Sequence, residues 1–464
     1  MSKDRSAQLI AEAKAMKYSR RTVMKRASAM GVSASALGGV LSATGHTVSA
    51  APNRAPAFLQ GGSLNFLIST AFVPAAEPFF QQQAQSWGEE NGVEVTVDFI
   101  NWPDLQPRIT SAVQAGAGPD IVELWPTIPY LFAENLVEVN DLAAAIDQQH
   151  GGFYDWVTNT VAVNGEWRSL PHGTSSIAVA YRKSLFEQAG VEDPENNFPD
   201  TWEAFFEVGR RLKQDVGVPL GQSLGQSLGD PPGFTYPYMW SFGSMEVEED
   251  RTTVAFDTEL FREGLEMFVQ AWTDAFDETG LGWDDSTNNS AYLSGQIAAT
   301  LNGSSIYLAA TDEEGENYNP ELAEDTFHAP LPAGPAGQFA ELGSRSMGIL
   351  GYSPNQEAAK AFLEWWFSPE PFQAWLEVYE GYIIPPGTTF VDLPVFTEDP
   401  KLAPFLEIVE IGRNKGYAGP ANLEAAQAAS QYVVVNTFAQ AVQTGDVGAA
   451  IEQGARHLER IYGR

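Results

Sequence analysis

Hydrophobic and polar positions change period along this chain, and each change of period marks an element. Residues 63–68 form a short apolar run suited to a strand. Over 78–90, Phe79, Phe80, Ala84 and Trp87 recur at helical spacing. Val93, Val95, Val97 and Phe99 then alternate, as in a strand with one face more deeply buried. Residues 105–115 read as a helix closed by Gly116-Ala117-Gly118-Pro119, 121–124 as a strand, and 130–134 as the start of a helix. The order β-α-β-α-β predicts a parallel sheet with helices on both faces.

Later helices are predicted at 202–212, after an Asp200 cap with Glu203 at the third helical position, and from Ser353-Pro354-Asn355-Gln356 onward. Further helices follow Ser368-Pro369 and span 425–444 and 447–461. Their aromatic stripes read as core. The stretches 221–233, 302–305, 329–337 and 385–400 read as loops. Phe234-Thr235-Tyr236-Pro237-Tyr238-Met239-Trp240 is too Pro- and Gly-bounded for a long helix and too dense for surface, so part of it belongs to a core.

Charge changes the picture. The 464 residues hold 26 Lys+Arg against 60 Asp+Glu, a net charge of -34, with no Cys. Such acidity excludes a nucleic-acid partner, because like charges repel a phosphate backbone. The absence of Cys removes disulfides, thiol catalysis, Cys-ligated metal and an acylated lipoprotein cysteine. The basic residues are concentrated at the start: residues 1–50 hold eight basic and two acidic side chains, which leaves 18 and 58 beyond them, a net of -40. Ser19-Arg20-Arg21-Thr22-Val23-Met24-Lys25 precedes a charge-free segment, 27–50, that ends Val48-Ser49-Ala50. This arrangement resembles a twin-arginine export signal, removed near Ala50. Residues 51–62 then form a loose leader. No later run is apolar enough to span a membrane, so the mature protein is expected to be soluble and exported.

Motifs for chemistry are sparse. The Gly221–Gly229 tract matches G-x-S-x-G twice, at Ser223 and Ser227, but Pro231 and Pro232 are expected to stop the helix that a nucleophile elbow requires, leaving a polar flexible loop. The histidines are scattered, and no phosphate-binding P-loop occurs. Pairs such as Glu89-Glu90 and Asp284-Asp285 read as solvated surface, and Trp283-Asp284-Asp285 lacks calcium-loop spacing. No cofactor, metal or catalytic residue is expected.

Ligands of open parallel sheets sit outside the carboxyl ends of the strands. Here those ends carry Ser69-Thr70-Ala71-Phe72, Asn101-Trp102-Pro103 and Trp125-Pro126-Thr127. Trp102 and Trp125, beside amide and hydroxyl groups, suit a sugar, whose C–H face stacks on an indole. The alternative is that these rings cap the packing of the sheet.

The motif order resembles the extracellular solute-binding proteins of sugar ABC importers, the maltose-binding-protein family. Ala115-Gly116-Ala117-Gly118-Pro119-Asp120-Ile121-Val122 is similar to the family's A-G-x-x-P-D-hydrophobic motif. Leu170-Pro171-His172-Gly173 followed by Ala180-Tyr181-Arg182-Lys183-Ser184-Leu185-Phe186 resembles "P-x-G…Y-N-K-D-L-F", with Arg182 for Asn and Ser184 for Asp. Glu134-Asn135-Leu136-Val137-Glu138-Val139-Asn140-Asp141 resembles "G-L-L-x-P-L-D-D", without its Gly and Pro. Asp200-Thr201-Trp202-Glu203, Ser294-Gly295-Gln296-Ile297-Ala298 and Pro330-Leu331-Pro332-Ala333-Gly334-Pro335 resemble three further pieces, in order.

The resemblance implies a two-lobed periplasmic-binding-protein fold of class α/β, with hinge-closing lobes and mostly parallel sheets. Lobe 1 is expected at roughly 63–172 plus 345–395, and lobe 2 at 173–344 plus 396–464. The implied ligand contacts are Trp125, His172, Thr174, Phe234, Tyr238, Trp240, Trp283, Asn302, Gly303 and Arg345, with Trp102 added by the strand-end argument. The expected function is capture of a mono- or oligosaccharide or polyol in the interlobe cleft and delivery to inner-membrane permease subunits. Two alternatives remain: the same fold binding a polyamine or glycerol phosphate ester, and an exported polysaccharide-active enzyme. A monomer in a periplasm bounded by an outer membrane is expected, since nothing tethers the chain.

Overall fold

The computed structural model describes residues 62–175 and 177–463. The expected export signal, and the leader up to residue 61, lie outside the described residues. The first elements are β1 (Ser63–Ser69), α1 (Ala76–Asn91), β2 (Glu94–Ile100), α2 (Trp102–Ala115) and β3 (Ile121–Leu124). β1 lies between β2 and β3 and runs parallel to both. The patterns explain the order. β3 is buried at all four positions and sits inside the sheet, whereas β2 alternates exposed and half-buried positions and forms its edge. α1 turns Ala76, Phe80, Ala84 and Trp87 inward and ends at Gly92, whose φ of 70° is the left-handed cap that glycine favours.

Downstream come β4 (Leu170–Ser175), β5 (Ala178–Arg182), β6 (Ala299–Asn302), β7 (Thr326–Ala329), β8 (Arg345–Ile349) and β9 (Ile383–Ile384). The larger sheet has the order β9-β4-β8-β3-β1-β2. Beyond β3 its pairings are antiparallel, as are both pairings of the smaller sheet, β6-β5-β7. The expectation of mostly parallel sheets therefore holds only for β1, β2 and β3. β4 leads on to β5 and β8 follows β7, both strands of the smaller sheet, so no strand–helix–strand crossover within one sheet imposes the parallel direction on them.

The two lobes of this α/β fold have separate cores. In the first, Phe66, Phe80, Phe362 and Trp366 make edge-on contacts, with Phe66 and Phe362 centroids 4.7 Å apart and Phe80 and Trp366 4.9 Å apart. In the second, α3 (Trp202–Arg211), α4 (Asp230–Ser241) and α5 (Glu259–Asp274) pack with the C-terminal helices through Phe206, Phe234, Tyr238, Phe268 and Phe438. Among the described residues no helix is long and apolar enough to cross a membrane.

Four local expectations are corrected. α4 is a twelve-residue helix, every residue of which is buried. Pro231 and Pro232 start it, because first-turn N–H groups have no intrahelical partner to lose. The Gly221–Gly229 tract is a largely buried connection, with Gln222, Ser223 and Leu224 at or below 1% exposure. The cap of α3 is Thr201, whose Oγ1 accepts from Ala204 N at 3.3 Å, not Asp200. Finally, 425–444 is two helices, Leu423–Ser430 and Val433–Thr444, interrupted by Tyr432 at φ 54°.

Candidate functional site

The cleft is built where strand ends of both sheets meet the start of α4. β3 delivers Trp125 and Pro126, β4 Thr174 and Ser175, β6 Asn302 and Gly303, β8 Arg345, and α4 Asp230. The cleft is open at its mouth, and its enclosed part holds about 60 Å³.

One wall joins aromatic rings to a paired cation. Trp125 stacks on Trp102 with centroids 4.9 Å apart and planes 24° off parallel. The Arg345 guanidinium lies 5.4 Å from the Trp125 ring centroid. Arg345 Nε donates to Glu123 Oε1 at 2.8 Å, and its Nη2 makes a second, shorter contact with the same carboxylate. The other oxygen, Glu123 Oε2, accepts from Ser69 N at 2.8 Å and from Ser69 Oγ. Burial pushes the Arg345 pKa down, but the Glu123 carboxylate outweighs it and holds the guanidinium above its ordinary value.

The opposite wall holds acids. Asp285 Oδ1 accepts from Ser227 Oγ and from Asp230 N, both at 2.7 Å, and its Oδ2 accepts from Gly229 N at 3.3 Å. Its carboxylate therefore occupies the N-terminal end of α4. Burial pushes its pKa up to about 7. Asp230 Oδ2 accepts from Asn288 Nδ2 at 2.7 Å and Asn302 Nδ2 at 3.2 Å. Burial and the neighbouring Asp285 push Asp230 well above the usual carboxylate range. Also on the lining, Lys415 Nζ lies 2.8 Å from Glu341 Oε1, an ion pair whose angles do not make a hydrogen bond.

The structure brings Trp125, Thr174, Asn302, Gly303 and Arg345 together on the cleft wall. It places the other expected residues elsewhere. Trp102 is 8% exposed and lies behind Trp125. His172 stacks on Trp375 at 3.7 Å and receives a hydrogen bond from Trp366 Nε1 at 3.2 Å. Burial pushes its pKa well down. A regular strand would point His172 and Thr174 the same way. Gly173, at φ 97°, breaks that alternation, and a Cβ there would meet Ile384 O at 2.5 Å. Phe234, Tyr238 and Trp240 are core residues of α4, at most 2% exposed, and the Tyr238 hydroxyl donates to Gly264 O at 2.6 Å. Trp283 packs with Ala180, Tyr292 and Ile297.

Sequence reasoning missed Asp230, Asp285, Glu341, Tyr382 and Lys415 on the wall. Phe72 also lines it, from the first strand-end loop. Asp285, read as solvated surface, is 5% exposed. Its only signal was position, two residues after a tryptophan in an otherwise polar stretch. Among the described residues, neither candidate nucleophile is hydrogen-bonded to a histidine. Ser223 Oγ donates to Asp284 O and Ser227 Oγ to Asp285, while His150, His172, His328 and His457 all bond elsewhere.

A fold of two lobes around a polar, tryptophan-floored cleft defines a solute-binding protein. Residues 82–404 match the family model described as bacterial extracellular solute-binding protein, and the chain belongs to that family. It is 22% identical over 365 residues to the arabinooligosaccharide-binding protein of Halalkalibacterium halodurans, covering 72% of this chain and 74% of that one. The GacH receptor of Streptomyces glaucescens, solved unliganded and with acarbose, superposes with a TM-score of 0.72 at 20% identity, covering 87% of this chain and 98% of that one. A ribitol-bound ABC transporter solute-binding protein from Agrobacterium radiobacter K84 superposes with a TM-score of 0.71 at 16% identity, covering 87% and 99%.

Proposed function

We propose that this protein is the substrate-binding component of an ABC importer and captures a mono- or oligosaccharide or polyol between its lobes. The observation that carries the reading is the cleft wall itself. A tryptophan face, Thr174, Asn302, a paired arginine and two hydrogen-bonded acids offer one stacking surface and many polar partners. Relatives bind an arabinooligosaccharide, acarbose and ribitol, which are ligands of the same chemistry. The lobes we assign are 63–172 with 345–395, and 173–344 with 396–464, closing as a hinge. The protein performs no chemistry on its ligand, acts as a monomer, and hands the ligand to permease subunits.

Export follows the same reading. Residues 1–50 act as a twin-arginine signal, recognised by the twin-arginine translocase and cleaved near Ala50, which delivers the chain to the periplasm. The family's extracellular designation supports the destination.

A thermal-shift screen over sugars, polyols, polyamines and glycerol phosphate esters tests the function. A ligand at 100-fold its dissociation constant stabilises the fold by about 2.7 kcal/mol. A sugar or polyol should raise the melting temperature. A shift with a polyamine or glycerol phosphate ester alone would overturn the assignment.

A further inference from the structure

We infer that Glu123 and Glu341 set the charge selectivity of the cleft. Each cancels the cation beside it, so the site takes uncharged polyhydroxylated ligands and rejects their carboxylate counterparts. This rests on the sugar- or polyol-binding reading above and adds to it a rule for which members of that class are bound.

The cations lining the cleft among the described residues are Arg345 and Lys415. In a partly desolvated site an uncompensated cation attracts a carboxylate far more strongly than it would in water. Neither is uncompensated. Arg345 and Glu123 have side chains 7% and 0% exposed and meet through both Nε and Nη2. Lys415 and Glu341 are 6% and 10% exposed and lie 2.8 Å apart. Glu123 does not line the cleft. Its charge acts on Arg345 from behind, leaving the guanidinium to meet a ligand as part of a neutral pair.

The placement of Glu123 calls for a functional account. It interrupts an otherwise apolar, buried strand, Ile121–Leu124. A buried ion pair adds little stability over a well-packed apolar pair. Position supplies the account: Arg345 lies over the Trp125 ring, the pair spans β3 and β8, and Ser69 on β1 holds the carboxylate in place. Across the cleft, Asp230 and Asp285 offer an anion no cation to pair with.

The test compares matched neutral and acidic ligands by isothermal titration at low salt: glucose with glucuronate, galactose with galacturonate, and glucitol with gluconate. The wild type should bind the neutral member of a recognised pair at least about tenfold more tightly. In Glu341→Gln and in Glu123→Gln this ratio should move toward the acid by about tenfold or more, and the acid's affinity should fall as salt rises. The double variant Glu123→Gln with Arg345→Gln removes both charges and should restore the wild-type ratio, which a merely structural role for Glu123 would not do. A wild type that prefers the acid overturns the inference, whether or not any variant folds. So does an unchanged ratio in folded Glu341→Gln or Glu123→Gln while the neutral ligand still binds. Failure of the wild type to bind any sugar, polyol or sugar acid would instead remove the functional reading, and this inference with it.

Discussion

On the wall built from β3 and β8, buried charge is cancelled by a partner of opposite sign, as Arg345 is by Glu123. On the wall built from α4 and its preceding loop, Asp285 is held instead by a hydroxyl and two backbone N–H groups, and burial raises its pKa. The first solution sets two opposite charges against each other. The second leaves a carboxyl group that titrates near neutrality. One wall is thus a fixed platform and the other a proton-sensitive one, and substitutions on the two should differ in kind.

The largest effect is expected on the acidic wall. Asp285→Ala leaves Ser227 Oγ, Asp230 N and Gly229 N without their acceptor. Each unsatisfied buried donor costs about 1–3 kcal/mol, so chemical denaturation should show a loss of about 3 kcal/mol or more. A loss below about 1 kcal/mol would mean that the loop finds other acceptors, and the contrast between the walls would fail.

Next is the platform. Trp125→Ala should weaken binding of a recognised sugar by about 30-fold, roughly 2 kcal/mol of lost stacking and burial, with little change in unfolding free energy. Unchanged affinity by titration would reject the stacking model.

The pH response separates the walls. Asp285 has its folded-state pKa raised to about 7 from an ordinary 3.8, so between those values the folded state holds a proton that the unfolded state has released. Its contribution to stability is full below pH 4 and is lost as pH rises toward 7. Glu246, buried against the Tyr236 hydroxyl and Gly416 N, is also pushed up to about 7 by burial and acts in the same direction. Asp285→Asn should therefore fall less in stability between pH 5 and 7 than the wild type. Equal slopes in denaturation curves across that range would contradict the assignment.

The smallest effect is expected at Trp102, which supports Trp125 from behind. Trp102→Ala should cost only a few-fold in affinity, on the order of 1 kcal/mol, from the lost ring contact. A loss as large as that of Trp125→Ala would place Trp102 on the ligand.

Periodicity made much of the first lobe legible. The alternation of Val95, Val97 and Phe99 survives as the half-buried face of an edge strand, and the rule that ligands sit at strand ends pointed to Trp125. Composition misled at α4. Prolines that break a helix interior can begin one, and dense aromatics that resemble a ligand box fill the core of a lobe, as Tyr238 and Trp240 do. The ion pair of Arg345 with Glu123 joins residues 222 positions apart, and nothing local announces it. Asp284 and Asp285 differ by one position, yet one caps the turn at Thr287 and the other is enclosed by the loop before α4. Side-chain direction decides such cases, and direction is a property of the folded chain.

The central claim is capture without chemistry in this cleft. Its most direct test is isothermal titration of the purified protein with a recognised sugar or polyol, followed by recovery and chromatography of the ligand. The account predicts one-to-one binding, weakened by Trp125→Ala, and a ligand returned unaltered. Turnover of the sugar, or binding indifferent to Trp125, would contradict it.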